Sequence, residues 1–304
     1  MDHRTSAFQE HRPKLYGIAY RMLGTKADAE DTLQDAYLRW HQADVERVRS
    51  AEAWLTTTVS HLCIDRLRAQ RAKRETYVGP WLPEPLIGDE PPLVERESED
   101  LSDLSIAFLV MLERLAPTER VAFLLHEVFD YDYPEISAVL GKSEANVRQM
   151  VHRARLRVRR EQRRFPVDED AHRRLLERFL TAVRTSDRET LLELFAEDAT
   201  WTSDGGGKVA ALREVLQGGA SISTLLADIG RRWLSYPTLT FDLLPINGET
   251  GILLCLDEKP LVAMSFVTDG SRISAGFSVL NPDKLARVSP EVLRRNRRAV
   301  TTGV

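Results

Sequence analysis

YDYPEISAVLGKSEANVRQMVHRARLRVRR, residues 131–160, is the stretch on which the reading of this chain turns. Pro134 suits the first turn of a short helix, where a missing N–H costs nothing. Gly141 stands where the chain can leave that helix in a left-handed conformation, and Ser143 carries a side-chain oxygen able to cap the next one. Two helices joined so tightly have the spacing of a helix-turn-helix, whose second helix enters the major groove with its N-terminal residues toward the base edges. Asn146 and Gln149 can pair bidentately with adenine, and Arg148 with guanine. Lys142, Ser143, Arg153 and Arg155 complete the candidate surface, the cations being placed for phosphates that position a helix without specifying sequence. The competing reading is a solvated basic helix on an all-α protein. Gly141, Ser143 and the polarity of charge together favour DNA.

The net charge is −4 over 304 residues, which by itself argues against a nucleic-acid partner. Its distribution argues the reverse. Residues 141–164 hold nine Lys/Arg against two Asp/Glu, whereas 77–100 hold one against seven. A basic field that dense attracts phosphate whatever the total. The 43% hydrophobic and 29% charged content is ordinary globular material, and the length of 304 predicts more than one domain. No run approaches the roughly 20 apolar residues of a membrane span. The N-terminal MDHRTSAFQEHRPK lacks the apolar segment of a signal peptide. Cys63 and Cys255 lie far apart, so neither a disulfide framework nor a cysteine zinc site is indicated. The expectation is a reduced, cytoplasmic protein with no metal and no cofactor.

Outward from the central motif the chain divides into four. Residues 1–76 read as three helices, with Gly24 closing the first, Thr25 capping the second and Ser50 capping the third. The second helix bears Asp28, Asp31 and Asp35 with Gln34 beside them, an acidic stripe that alone would be a solvated face. The third places His61, Asp65, Arg68 and Arg71 along a polar, increasingly basic side. Residues 77–100 hold five prolines among acids and predict a linker without a packed helix or strand. Helical periodicity returns over 101–165. Beyond it, 166–304 reads as helices at 171–185, 188–195, 208–217 and 221–233, followed by strands from about 237 with NG, DEKP and DG turns, an α+β pattern.

AEDTLQDAYLRW (29–40), AWLTTTVSHLCIDRLRAQRAKR (53–74) and LAPTERVAFLLHEVFDYDYPEISAVLGKSEANVRQMVHRAR (115–155) resemble regions 2 and 4 of the extracytoplasmic-function (ECF) sigma factors. The resemblance covers residues 5–162 in two blocks in the right order. It implies a bacterial subunit that binds core RNA polymerase and directs it to promoter DNA. It further implies that Asp31, Gln34 and Asp35 dock on the clamp helices of the largest subunit. The 41–54 segment with His61, Asp65, Arg68 and Arg71 would capture and open the minus-10 element, and region 4 would read the minus-35 element. Many relatives carry Asn where this chain has His61.

Residues 166–304 resemble a SnoaL-like domain, a cone of curved sheet and helices around a pocket. WLPEP (81–85), DGGGK (204–208) and NPDK (281–284) are similar to segments of ECF factors with that extension. The implied architecture is two all-α sigma domains followed by an α+β cone that regulates them in cis. Asp204, Gly205, Gly206, Gly207, Lys208, Asn281, Pro282, Asp283 and Lys284 are expected to meet Trp81, Leu82 and Pro83 in one regulatory interdomain contact, since burying Trp81 would recover roughly 2–3 kcal/mol. A tight loop would need the three glycines regardless of function. SnoaL-type cyclases use an acid/base pair, and this chain has no histidine beyond His172. The residues therefore indicate no catalytic set, although Asp204, Asp242, Asp257 and Asp283 remain as carboxylates, and a cone without catalytic groups would still offer a pocket to an unidentified small-molecule ligand. The alternative reading is a DNA-binding one-component regulator or enzyme with a ligand-binding or catalytic SnoaL-like pocket, which would leave residues 26–74 unexplained.

Overall fold

The computed structural model describes residues 3–44, 48–88, 104–161, 167–233 and 235–288. These fall into two compact units. The first takes in residues 1–76, 91–104 and 108–163; the second takes in 77–90, 105–107 and 164–304.

The first unit is helical. α1 (His3–Leu23) and α2 (Lys26–Gln42) are separated by Gly24, whose φ of 74° ends α1, and by Thr25, whose side chain accepts from the Asp28 backbone. α3 (Ala51–Glu75) packs across both. Leu15, Ile18, Ala19, Met22, Leu33, Trp40, Leu55 and Val59 recur at helical spacing and are buried. α4 (Ile106–Leu112), α5 (Pro117–Glu127), α6 (Tyr133–Leu140) and α7 (Glu144–Glu161) follow. Pro117 stands in the first turn of α5, where its missing N–H costs nothing, and α5 packs on α1, α3, α6 and α7.

The second unit is α+β. α8 (Glu169–Thr185) and α9 (Arg188–Leu194) lead into β1 (Phe195–Asp204) and β2 (Leu216–Gln217), then α10 (Gly219–Trp233), β3 (Thr240–Ile246), β4 (Glu249–Leu256), β5 (Lys259–Thr268), β6 (Ile273–Val279) and α11 (Pro282–Leu285). The sheet order is β2-β1-β6-β5-β4-β3, with β1 parallel to β6 and every other pairing antiparallel. The sheet is open. α8 and α10 cover it, and between them Phe179, Phe195, Trp201 and Phe266 stack and cross at centroid separations of 5.1–6.2 Å. These aromatic side chains belong to the buried core of the unit. A cavity of about 420 Å³ lies toward β3, walled by Arg184, Trp233, Tyr236 and Phe241.

Three expectations are corrected. Residues 208–217 form turns and the short β2 instead of a helix: Val209 and Val215 stay 41% and 45% exposed, and Leu212 and Leu216 meet the core only in part, too little burial to support helical turns. β1 was not expected; Thr200, Trp201 and Thr202 become a strand by pairing with Ala275, Gly276 and Phe277 some 75 residues away. Residues 77–88 are not a free linker. They form no helix, and their one strand-like feature is the bridge Ile87 to Ile246, yet they pack tightly, with Leu82, Leu86 and Ile87 at 0%, 7% and 3% exposure. Proline forbids regular ladders but not extended burial. Gly88 donates to the Pro245 carbonyl, Asn247 to that of Leu86, and Leu86 donates to the Asn247 side chain, at 2.8–2.9 Å. The remainder of that expected linker, 89–100, lies outside the described residues. No described helix is long and apolar enough to cross a membrane.

Candidate nucleic-acid interface

The helix-turn-helix is built as its chemistry predicts. Asp132 and Glu135 close a capping box at the start of α6, and Gly141 ends it at φ 60°. The Ser143 hydroxyl accepts from the Asn146 backbone at 3.4 Å. Val147, Met150, Val151, Ala154 and Val158 are buried against the unit, so α7 presents one fixed face outward. That face holds Lys142, Ser143, Asn146, Arg148, Gln149 and Arg153, all exposed. Arg148 lies 4.5 Å over the Tyr133 ring and 3.4 Å from Glu144, which restrains its guanidinium.

Arg153 and Arg155, two of the expected phosphate contacts, have intramolecular partners, as does Arg157. Arg155 reaches Glu127 at 2.5 Å, while Arg153 and Arg157 reach Glu119 at 3.5 and 2.6 Å. Glu119 and Glu127 stand on α5, and nothing in the local sequence around α7 pointed to them.

On α2, Asp31 and Gln34 are exposed and the Asp35 side chain is 47% exposed. Arg66 of α3 approaches Asp35 at 2.7 Å and both Asp28 and Asp31 at 3.9 Å, so the acidic stripe is partly neutralised from within. His61, Asp65 and Arg68 are exposed on α3, with Arg68 3.7 Å from Asp65. The side chain of Arg71 lies outside the described residues. Within the 41–54 segment and the start of α3, Asp44, Arg49, Trp54, Thr57 and Thr58 wall a cavity of about 600 Å³. Trp54 is braced by Trp40, with ring centroids 5.3 Å apart.

The WLPEP, DGGGK and NPDK segments converge within the second unit on Asp204, which has no solvent exposure. Its carboxylate accepts from the Tyr77 hydroxyl at 2.6 Å, from the Leu82 and Gly206 backbones at 2.9 Å each, and from Lys284 at 2.6 Å. Lys284, 8% exposed, also donates to the Leu82 carbonyl and sits 4.2 Å over the Trp81 ring. Asn281 caps α11 and donates to the Tyr77 oxygen at 2.9 Å. Pro83 is buried beside Leu82, whereas Pro282 is exposed in the first turn of α11. Lys208 and Asp283 form an ion pair at 2.5 Å on the exposed rim. Gly206 has φ 61°, and a Cβ there would fall 2.2 Å from Asn281 Nδ2; a Cβ on Gly205 would fall 2.5 Å from the Val209 carbonyl, while Gly207 abuts Val78. Sequence reasoning missed Tyr77, whose phenol is pushed up by burial and then by its bond to Asp204. It also missed Asn247, which anchors Leu86.

His172 bonds the Thr250 carbonyl and the Thr268 hydroxyl at 2.8 and 3.1 Å, and Asp257 accepts from Thr238. No group of three His, Cys, Asp or Glu among the described residues is placed to hold a metal.

Comparison with known proteins agrees with this geometry. Residues 7–73 match the family model for sigma-70 region 2, and residues 105–158 match that for sigma-70 region 4. The chain is 35% identical to the ECF RNA polymerase sigma factor SigJ of Mycobacterium tuberculosis, over 98% of this chain and 97% of that one. It is 27% identical to a probable ECF RNA polymerase sigma factor SigI of the same organism, over 95% and 97%. The crystal structure of M. tuberculosis SigJ superposes with a TM-score of 0.74 at 34% identity, covering 93% of this chain and 98% of that one.

Proposed function

The chain belongs to the extracytoplasmic-function RNA polymerase sigma factors, and from that premise we propose how its residues divide the work of initiation. As a sigma factor it directs transcription by core RNA polymerase from particular promoters. α7 enters the major groove of the upstream element, with Asn146, Arg148 and Gln149 at base edges and Lys142, Ser143, Arg153 and Arg155 toward phosphates. The carrying observation is that α7 is locked by its buried face, so that these side chains stand together outside it. Asp31, Gln34 and Asp35 on α2 dock on core polymerase. The cavity at Trp54, with His61, Asp65, Arg68 and Arg71 along α3, takes the downstream element.

The second unit acts in cis. Asp204 and Lys284 hold residues 77–88, part of the covalent connection between the two DNA-reading regions, so the domain governs how much of that connection is free to extend. A small-molecule ligand, if the domain takes one, has the cavity at Trp233 and Phe241 available, with Arg184 favouring an anionic group. In vitro transcription from the gene's own upstream region, with core polymerase and either the full chain or one ending at Phe165, tests both levels. Initiation by both at different yields supports the assignments. Equal yield and equal core affinity overturn regulation in cis, and binding of promoter duplex without core favours a one-component regulator.

A further inference from the structure

We propose that Tyr133 is a positioning residue for promoter recognition, its ring being the platform on which the Arg148 guanidinium is held ready to read a base. This role rests on the assignment of α7 to the upstream element. The Arg148 guanidinium lies 4.5 Å over the centre of the Tyr133 ring. A cation above an aromatic face is attracted by the ring's quadrupole. A ring can hold a guanidinium without using its N–H donors, which stay available for a bidentate pair with guanine O6 and N7. Glu144, one turn earlier on α7, reaches the same guanidinium at 3.4 Å. Those two side chains are 48% and 59% exposed, and an ion pair so open to water holds its partner weakly.

The platform is itself fixed. Tyr133 opens α6 directly after Asp132, whose capping box with Glu135 closes at 2.8 and 2.9 Å and sets the backbone there. Its ring is half-buried and lies 4.4 Å from the His126 ring, the two planes inclined at 41°. His126 stands in the last turn of α5 and is anchored in turn. Its Nδ1 donates to the Tyr131 carbonyl at 3.0 Å, and its Nε2 lies 3.9 Å from Glu127. Glu127 also holds Arg155 at 2.5 Å, beside the Tyr133 hydroxyl. Contact therefore runs from α5 through the Tyr133 ring to Arg148, while the hydroxyl of the same residue faces Arg155, the side chain assigned to phosphate. The buried face of α7 fixes the helix, and Tyr133 fixes a side chain upon it.

Ordering of this kind acts on specificity. Arginine is rich in rotamers, and freezing an exposed arginine when it pairs with a base costs affinity. A guanidinium already ordered over a ring has lost that freedom before DNA arrives. With the wrong base in place no pair forms and no such cost arises, so the platform favours the correct base alone. The cation–π attraction and the ordering of one side chain together correspond to roughly two- to tenfold in discrimination. The effect falls on the base pair that Arg148 reads, because ordering one side chain changes only the contacts which that side chain makes.

The test uses the full chain assembled with core polymerase, and measures its apparent affinity for promoters in which each upstream base pair is changed singly. Arg148→Ala identifies the base pair whose discrimination depends on that side chain. Tyr133→Leu is expected to lower discrimination at this pair roughly two- to tenfold, leaving the other positions as in the wild type. Tyr133→Phe keeps the ring and should retain wild-type discrimination; whatever it changes through Arg155 falls on every sequence alike. In Tyr133→Leu/Arg148→Ala, loss of the ring should add nothing at the identified pair. Circular dichroism reports whether each variant is folded. Should Tyr133→Leu fail to fold, His126→Leu carries the test: it removes the support beside the ring and should lower discrimination at the same pair. Folded variants that discriminate as the wild type, or that weaken every position by one factor, overturn the platform. So does a Tyr133→Phe chain that behaves as Tyr133→Leu. An Arg148→Ala chain that keeps wild-type discrimination at every upstream pair overturns the base-reading assignment itself, and the role of Tyr133 with it.

Discussion

Replacing Asp204 by Asn keeps the shape of the side chain and removes the charge on which four donors converge. Tyr77, the Leu82 and Gly206 backbones and Lys284 all give their protons to that carboxylate, at 2.6–2.9 Å. An amide can accept with its oxygen, but its nitrogen then confronts Leu82 N–H and Lys284, donor against donor. Lys284 is 8% exposed and would lose its carboxylate partner while staying buried beside the Leu82 carbonyl and the Trp81 and Tyr77 rings. Breaking a buried pair in this way costs about 3–5 kcal/mol. For a folding unit of 150–250 residues that corresponds to roughly 10 °C in Tm, at about 2–4 °C per kcal/mol. The assay is urea and thermal unfolding of the full chain, with limited proteolysis between Tyr77 and Gly88 reporting release of that segment. The double variant Asp204→Asn/Lys284→Met should recover a large part of the loss, because an apolar replacement of a buried pair is often neutral. A loss below about 1 kcal/mol for Asp204→Asn, or strict additivity in the double-mutant cycle, refutes the reasoning.

Four further outcomes are expected. Gly206→Ala should destabilise the second unit by about 2 kcal/mol or more in urea unfolding, since its positive φ and the 2.2 Å approach to Asn281 penalise any Cβ. Gln149→Ala should weaken binding of a cognate upstream element by about 1–3 kcal/mol while leaving nonspecific binding unchanged, whereas Glu119→Gln, by freeing Arg153 and Arg157, should tighten nonspecific binding and steepen its salt dependence. The Glu52 carboxyl is lowered below its ordinary 4.5, chiefly by the Lys14 hydrogen bond, so its contribution to stability is present above 4.5 and is lost as pH falls through the lower folded value. On Lys14, burial pulls downward but the bonds to Glu52 and Tyr131 outweigh it; its raised value means that its contribution is present below 10.5 and is lost as pH rises through the folded value. Unfolding midpoints of the wild type and Glu52→Gln should therefore differ at neutral pH and converge in acid; a constant difference would contradict the assignment.

The helical half was legible because its signals are local. Gly24, Thr25, Gly141 and Ser143 punctuate helices through the φ they permit or the donor they cap, and each stands where that chemistry placed it. The second half was legible only in part. Its hairpin strands announce themselves by alternation and by Asn247-Gly248 and Asp269-Gly270, but β1 is a strand because β6 lies beside it. The 208–217 stretch has helical propensity, but its Leu212 and Leu216 meet the core only in part. Residues 77–88 looked like a linker by composition, and their prolines do exclude a ladder. Their burial came from Leu82, Leu86 and Ile87 finding a wall already built by distant strands.

By itself the amino-acid order determined the main helix boundaries of the first unit, the exposed polar face of α7, the acidic stripe of α2 and the family to which the chain belongs, because period, capping and charge density act over a few residues. Only the tertiary structure decided which charges remain available. It set Glu119 and Glu127 against the arginines of α7 and Arg66 against the acids of α2, and it placed Arg120 at the end of α1. It likewise brought Tyr77, Leu82, Asp204 and Lys284 together across as many as 207 positions of chain. Ion pairs and buried hydrogen bonds depend on separations of a few ångströms, and such separations between residues far apart in sequence exist only once the chain has packed.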